Sequence, residues 1–335
     1  MGMTSNRRAM LSLDYELFFG ASTGSVEHCL IEPIKYLSKV LDRHAIKMVL
    51  FVDAGYLSRL RELRSDFKHL ATSFDEVRRH LASLARNGHD LQLHIHPHWD
   101  SSEFSGDVWR IDTSHYRLHD FAAAEQSEIV RRYKDEVADL GERAVFAYRA
   151  GGWCIQPFVD IRDALVGNGI TMDSTVYYRG YSDEPGRFYD FRDAPGEAWW
   201  RFGDDPCRRD EGGAFVEVPI SSVRLTPDFY WRMAVARKFA QPDQKPFGDG
   251  ASLKPNSRYY LSRLLWGEYS PVSIDGLKSA RLAIAFRQAA AEAIFNIMGH
   301  PKSLTRDSID RFGAFLDEFG PGFVTFQDLS GMAHA

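Results

Sequence analysis

Short apolar runs alternate along the chain with longer segments in which apolar residues recur every three or four positions. Runs of this length are typical of buried strands, and the longer spacing is typical of amphipathic helices. Before residue 177, strands are predicted at 10–14, 47–52, 144–148 and 170–172, and one more ends within 88–98. Helices are predicted at 31–43, 73–86, 122–140 and 157–166. This order predicts an α/β fold, a parallel sheet or barrel whose function lies at the carboxyl ends of its strands.

The regularity fades between 177 and 211, where Gly, Pro, Arg and Tyr are frequent, and another strand is predicted at 215–219. Residues 227–271 are partly helical and contain a polar section rich in Pro and Gly. We interpret 227–271 as an inserted cap rather than a new domain, because the alternation resumes beyond it. Helices at 278–293 and 307–319 and strands at 295–298 and 323–326 complete a single barrel domain expected over 1–335.

Composition narrows the classes of protein to which the chain could belong. Its 41 basic and 46 acidic residues give a net charge of −5 without long charged runs, so no nucleic-acid partner is indicated. Cys29, Cys154 and Cys207 are too widely spaced to predict a disulfide framework or a thiolate zinc site. No transmembrane run and no signal peptide are recognised, so a cytoplasmic location is expected. The sequence does not predict an oligomeric state.

Three histidines at alternate positions, His94, His96 and His98, follow the apolar positions Leu91 and Leu93. Alternate side chains of a strand share a face, and Pro97 disfavours a helix here. Three imidazoles crowded together would repel one another if charged, which favours a metal site or a proton relay over histidines in a wet surface loop.

Ionisable residues also follow the predicted ends of five different strands. They are Asp14 and Glu16, His94 and His98, Arg149, Asp173, and His300. Any one of them could be a surface residue or a helix cap, but a barrel brings its strand ends together into one pocket. Two histidines and a carboxylate leave an open position on zinc, which suits a catalytic site.

These residues lie in five short motifs that resemble, in order, those of the polysaccharide deacetylase family, also called carbohydrate esterase family four. The motifs are Ser-Leu-Asp-Tyr-Glu at 12–16, Gly-His-Asp at 88–90 with His94 and His98, Arg-Ala-Gly-Gly-Trp at 149–153, Asp173, and Met-Gly-His-Pro at 298–301. The resemblance spans about 9–329 without the insert. It implies a distorted, TIM-like (β/α) barrel of about seven strands.

The resemblance also implies a metal centre. The family's first motif has two adjacent aspartates, but Tyr15 stands where the second would be, so Glu16 is implied as a metal ligand and Asp14 as the base. This departure leaves the division of roles between the two acids open. His94 and His98 are the implied histidine ligands of one divalent metal ion, with zinc expected first and iron, cobalt or nickel as alternatives. His96 lies outside the family pattern and is left open as a substrate contact, a fourth ligand or a structural residue.

The remaining motifs imply the groups that move protons and hold substrate. Arg149 would keep the base carboxylate ionised, and Gly152, with Trp153 beside it, would supply a backbone N–H to the oxyanion. His300 would protonate the leaving group, and Asp173 would orient His300 and raise its pKa.

The implied reaction is metal-assisted hydrolysis that removes an acetyl or formyl group from the nitrogen of a sugar. The substrate would be a glycan, a lipid-linked sugar or a nucleotide-linked precursor, for example in lipopolysaccharide O-antigen synthesis. A non-sugar amide such as a cyclic ureide or imide is the alternative. An amidohydrolase site built on His94-x-His96 and a non-catalytic carbohydrate-binding protein are weaker alternatives.

Overall fold

The computed structural model describes residues 7–184, 187–252, 257–290 and 293–333. The strands are β1 Arg8–Tyr15, β2 Val49–Asp53, β3 Asp90–Ile95, β4 Glu103–Ser105, β5 Val108–Arg110, β6 Ala147–Ala150, β7 Met172–Asp173, β8 Tyr181–Glu184, β9 Arg187–Asp190, β10 Trp200–Phe202, β11 Phe215–Glu217, β12 Ser222–Leu225, β13 Glu268–Pro271, β14 Phe295–Gly299 and β15 Gly322–Phe323. The helices are α1 Glu32–Arg43, α2 Ala54–Leu63, α3 Lys68–Arg86, α4 Ala123–Ala138, α5 Arg162–Gly167, α6 Pro227–Lys238, α7 Ser257–Trp266, α8 Leu282–Gln288, α9 Arg306–Phe319 and α10 Phe326–Leu329.

The central sheet has the strand order β10-β11-β7-β6-β3-β2-β1-β14, with β15 also pairing with β1. Its neighbouring strands are parallel except for β10 and β11. The sheet curls until the chain that continues from β11 reaches β14, where the Ser221 N–H donates to the Asn296 carbonyl over 3.0 Å. The predicted distorted (β/α) barrel is therefore confirmed.

Alternation along the strands separates two apolar layers. On β1, Leu11 and Leu13 belong to the main core beneath the helices, whereas Met10 belongs to a smaller core on the concave face of the sheet. Ser12 and Asp14 have the same parity as Met10 and therefore face the inside of the barrel. The interior thus changes from apolar to polar as β1 approaches its carboxyl end.

Several boundaries differ from the sequence prediction. Helix α2 was not predicted, and 177–211 contains three short strands instead of only irregular chain. The predicted strand 323–326 is wrong beyond Phe323, because the Thr325 N–H donates to the Asp328 carboxylate and helix α10 begins there. The predicted helix 278–293 is a 3-10 segment followed by α8, and residues 291–292 lie outside the described ones.

The insert rises from the carboxyl edge of the sheet. Strands β12 and β13 pair in antiparallel fashion at its base, and helices α6 and α7 pack together above them. The returning chain bonds to β14, where the Ile274 N–H donates to the Met298 carbonyl. No helix in the described part of the chain is long and apolar enough to cross a membrane.

Candidate active site

A cavity of about 270 Å³ opens at the carboxyl ends of β1, β3, β6 and β14. Among its lining residues are Asp14, Glu16, Phe19, His94, His96, Tyr116, Gly152, Trp153, Arg187, Ser252, Asp275, His300 and Lys302. A larger cavity of about 670 Å³ lies around Gly88 and His89, at the opposite end of β3. The smaller cavity is the candidate site, because it contains the ionisable groups that the strand ends bring together.

One oxygen of Glu16 is the point at which two histidines converge. The Oε2 atom lies 3.2 Å from Nε2 of His94 and 2.7 Å from Nε2 of His96. Nδ1 of His94 lies 2.8 Å from the Arg149 carbonyl, to which it donates its proton. A neutral His94 then directs the lone pair of Nε2 towards the carboxylate, an arrangement that is favourable only when a proton or a cation lies between them.

The donor set of Glu16, His94 and His96 fits a divalent metal ion. Their ligand atoms all lie within 4.8 Å of one another, and all three residues are buried. Two imidazoles and a carboxylate are a common catalytic zinc set, and iron, cobalt or nickel accept the same ligands. A cation there would also be compatible with the hydrogen bond that fixes His94, because metal-binding histidines usually donate their other N–H to a carbonyl or carboxylate.

His98 departs from its predicted role as the second histidine ligand. It is not part of the convergent group, and neither of its ring nitrogens has a hydrogen-bond partner among the described residues. The reason is local geometry: His94 and His96 keep the alternation of β3, whereas the chain turns into a 3-10 helix at Pro97. The His98 ring instead stacks on Tyr116, with ring centroids 5.9 Å apart.

The surroundings set the charge states of the metal-ligand candidates. Burial opposes ionisation of Glu16, but Lys302 and His96 outweigh it and hold the pKa of that carboxyl well below its usual value. Burial lowers the pKa of His96 to about 4 despite the nearby Glu16. For His94 burial is outweighed by Asp14 and Glu16, which raise its pKa. His94 is thus the metal-ligand candidate among the histidines whose pKa is raised by its neighbours.

Lys302 is the counter-ion of Glu16, and the sequence did not single it out. Its ammonium group lies 2.9 Å from Oε1 of Glu16 and 2.5 Å from the Leu17 carbonyl, both as hydrogen bonds that it donates. The side chain is buried and passes close to the rings of Phe18 and Phe19. Glu16 therefore uses one oxygen for Lys302 and presents the other to the two histidines.

Asp14 lines the opposite wall of the cavity, and the buried Arg149 holds it from behind. Nη1 of Arg149 donates to Oδ1 of Asp14 over 2.7 Å, and Nη2 donates to Ser12 and Ser174. Nε donates to the Ser174 carbonyl, and the guanidinium lies over the Phe51 ring at 4.2 Å. Because every side of the guanidinium is held, Asp14 has a fixed orientation.

His300 faces Asp14 across the cavity, and its partner is Asp275. Its Nε2 lies 3.6 Å from Oδ2 of Asp14, and its Nδ1 lies 2.8 Å from Oδ2 of Asp275. The His300 backbone N–H donates to the other oxygen of Asp275 over 2.8 Å. Burial alone would lower the pKa of His300, but Asp275 and then Asp14 outweigh it and raise that pKa.

Asp173 does not occupy the position beside His300 that the sequence predicted. It accepts hydrogen bonds from the backbone and hydroxyl of Thr175 and shares a hydrogen bond with Glu217. Burial raises the pKa of both acids of this pair. The cause is strand parity: Met172 belongs to the concave core, so the next residue points to the outer face of the sheet.

The chain after β6 makes close contacts with the cavity. Gly152 and Trp153 line it, and both have positive φ, at 60° and 61°. A Cβ atom on Gly151 would come within 2.6 Å of Nδ1 of His96, and one on Gly152 would come within 2.6 Å of the Tyr116 hydroxyl. These glycines allow the backbone to approach the histidine cluster, and the oxyanion role of Gly152 stays a prediction.

Sequence reasoning missed Asp275 and Lys302. Asp275 follows the insert, four residues after β13 ends, where no local pattern marks a catalytic segment. Lys302 had a usable signal: it stands two positions after His300, beyond Pro301, in the same loop as the recognised motif.

No family model and no curated protein matches the chain, whereas solved structures align with almost all of it. A putative polysaccharide deacetylase from Mycobacterium smegmatis covers 100% of this chain and 92% of its own, at 14% identity and a TM-score of 0.44. A family 4 carbohydrate esterase from Streptomyces lividans in complex with acetate covers 96% of this chain and 93% of its own, at 10% identity and a TM-score of 0.40. A CE4 family pseudoenzyme from Bacillus anthracis covers 95% of this chain and 64% of its own, at 12% identity and a TM-score of 0.38. These neighbours carry the name of the family that the sequence motifs resemble.

Proposed function

We propose that the chain is a metal-dependent hydrolase that removes an N-acyl group, acetyl or formyl, from a sugar. The observation that carries the proposal is the arrangement of two carboxylates in one cavity. Glu16 meets two imidazole nitrogens at 3.2 and 2.7 Å, while Asp14, ion-paired with Arg149, lies 3.6 Å from His300. Amide hydrolysis needs both parts, one to polarise the carbonyl and one to move protons.

Different residues of this chain bind the cation, accept the proton of water and protonate the leaving group. Glu16, His94 and His96 would hold the cation, which when bound would polarise the acyl carbonyl and lower the pKa of a coordinated water towards about 7. Asp14, kept in place by Arg149, accepts the proton of the attacking water. His300, whose pKa Asp275 raises, is the acid that protonates the departing sugar nitrogen. No covalent enzyme intermediate is required.

A sugar fits the lining of this cavity. Phe19, Tyr116 and Trp153 contribute aromatic surface, and the carboxylates and Arg187 contribute polar groups. Pockets that combine a largely apolar wall with a few fixed polar groups orient small ligands by those groups. A sugar ring has an apolar face and a polar edge, so it can use both kinds of lining at once.

The test is release of acid from a panel of acylated compounds by the zinc-loaded protein. The panel contains N-acetyl and N-formyl sugar nucleotides, acylated glycans, lipid-linked acylated sugars and cyclic imides. We expect acetate or formate from at least one sugar, and none with a His94→Ala variant. Ring opening of an imide with no release from any sugar would replace the sugar by a non-sugar amide. Inertness towards the whole panel, with the metal bound, would favour a binding protein.

A further inference from the structure

The two helices of the insert expose an apolar surface that the rest of the fold leaves uncovered. On α6, Trp231 and Val235 are four positions apart on one face, and Phe239 continues this row just beyond the helix. On α7, Leu261, Leu265 and Trp266 are likewise exposed. Trp266 is 71% exposed and Phe239 is 66% exposed. We call these six residues the hairpin patch.

The other face of α6 already packs against the protein, so the hairpin patch is not a partly formed core. Phe229 and Tyr230 are buried, and Met233 packs against the main core. Helix α6 is therefore apolar on both of its faces. A helix of this kind is normally covered on both sides, and a contiguous exposed apolar area of several large side chains marks an interaction surface.

The sequences of the two helices that carry the hairpin patch are basic, whereas the whole chain is acidic. Helices α6 and α7 contain five basic residues and one acidic residue, a net charge of +4, whereas the chain carries −5. Arg232 is exposed 3.9 Å from Asp228, and Arg263 pairs with Glu268 over 2.8 Å. Lys238 is exposed and lies 5.7 Å from the centre of the Phe239 ring. Exposed Trp and Phe next to basic residues are the composition of helices that lie in the interface of an anionic lipid bilayer.

We propose that the hairpin patch docks on an anionic lipid bilayer and that the acylated sugar is attached to a lipid. The substrate class rests on the proposed function, whereas the docking does not. A second copy of the chain is the less suitable occupant. A twofold interface would bring the same patch against itself and set basic residues of one copy against those of the other.

The insert places this surface on the same side as the cavity. The chain that follows its base strands meets β14 near the carboxyl end, where the Ile274 N–H donates to the Met298 carbonyl over 3.1 Å. The chain that follows α6 returns to the cavity rim, where the Gly248 N–H donates to the Lys302 carbonyl over 3.1 Å and Ser252 lines the cavity. A lipid-linked headgroup held near the bilayer surface would therefore be presented on the side where the cavity opens.

Docking is tested by sedimentation of the full chain with vesicles of phosphatidylcholine alone and of phosphatidylcholine mixed with phosphatidylglycerol. We expect binding to the anionic vesicles that weakens by about tenfold or more in the variant Trp231→Ser/Phe239→Ser/Trp266→Ser. The matched control, Val108→Ser/Val159→Ser/Val166→Ser, removes exposed apolar side chains from other faces and should bind as the parent does. Circular dichroism checks that both variants are folded.

Two results would overturn the docking. One is equal binding of the parent and the patch variant, or no binding by either. The other is a dimer of the parent in light scattering that becomes a monomer in the patch variant, which would make a second copy the occupant.

The substrate class has a separate readout. The rate of acid release is compared for a lipid-linked acylated sugar in anionic vesicles and for the same sugar phosphate without its lipid. We expect kcat/KM to be higher for the lipid-linked compound and to fall in the patch variant, with the rate on the free sugar unchanged. Equal rates on both compounds would overturn the lipid-linked substrate while docking stood. No release from any sugar would overturn the proposed function, and vesicle binding would still decide the docking.

Discussion

Asp14 and Glu16 are two positions apart at the end of β1, and they differ in almost every contact. Asp14 is bound by the guanidinium of Arg149 and faces His300. Glu16 is bound by the ammonium of Lys302 and meets His94 and His96 through its other oxygen. Each carboxylate thus has its own buried cation and different nearest histidines, although both arise from one strand end and His300 also lies 3.8 Å from Oε1 of Glu16.

His300 and His96, which lie beside different carboxylates, have pKa values shifted in opposite directions, whereas the pKa of His94 is raised like that of His300. On the Asp14 side, Asp275 outweighs burial and raises the pKa of His300. On the Glu16 side, burial dominates and lowers the pKa of His96 to about 4. A metal ligand must be unprotonated, whereas a general acid must hold its proton until it is needed. The comparison shows how one short cavity can separate cation binding from proton transfer by giving neighbouring residues different partners.

The largest effects are expected when Glu16 and Asp14 are each replaced by the corresponding amide, which tests whether cation binding and proton transfer are separate. Glu16→Gln should lose the metal, and activity with it, since the oxygen on which both histidines converge no longer carries charge. Asp14→Asn should keep the metal and reduce kcat by about 10²–10⁴-fold, the usual contribution of a general base. Metal content after dialysis, measured beside the rate, distinguishes the two. The opposite pattern of metal loss would mean that the acids exchange roles.

Removing the buried cation tests how strongly the Glu16 side depends on Lys302. Lys302→Met leaves Glu16 buried without its counter-ion, which should reduce the free energy of unfolding of the metal-free protein by about 3–5 kcal/mol. Added zinc should recover part of that loss, because it supplies positive charge to the same carboxylate. The control is Arg131→Met, which breaks an exposed pair with Glu128 and should cost less than about 1 kcal/mol. Equal urea midpoints for the two variants would contradict this.

The choice of the second histidine ligand is tested by a matched pair of variants. His96→Ala should weaken metal binding by more than the roughly 10–100-fold that loss of an outer partner costs. His98→Ala should stay within that range, because its ring packs on Tyr116 outside the convergent group. Chelator competition gives both affinities. Greater loss in His98→Ala would restore the pair that the family resemblance implied.

The smallest expected effect is a shift in the pH dependence of kcat, caused by a change in the pKa of His300. His300 acts as an acid only while protonated, and Asp275 extends that range upward by raising its pKa. Asp275→Asn should therefore move the alkaline limb of kcat to lower pH by about one unit or more. Asp173→Asn is the control, since Asp173 bonds to Thr175 and not to His300. A shift in the control alone would return the orienting role to Asp173.

Alternation of apolar runs and helical segments predicted a parallel sheet or barrel and the edge at which functional residues meet, and the family resemblance implied the barrel. The alternation also predicted that Asp14, Glu16, His94, Arg149 and His300 come from strand ends. The structure places four of them in the cavity lining and Arg149 behind it, bonded to Asp14. Parallel strands that end at one edge of a barrel make this part of the site a consequence of topology.

The residues that sequence reasoning misplaced depend on details that no local pattern contains. Strand β7 has only two residues, too few to reveal which face Asp173 takes. His98 left the strand face because a 3-10 turn begins at Pro97. Asp275 reaches His300 from the end of an insert, and Lys302 reaches Glu16 from 286 positions away. Such long-range contacts arise only from the complete fold.

The pairing of β1 with β14 has a consequence for how the molecule is made. Ser12 bonds to Asn296 across 284 positions, so β1 cannot complete this pairing until the much later strand β14 has been synthesised. Contacts of such high sequence separation cost loop-closure entropy before they return any stability, which makes them late events in folding. A nascent chain that has not yet emerged through β14 holds Glu16 and all three clustered histidines but lacks both His300 and Lys302. The cavity is therefore completed only when the C-terminal part of the barrel closes.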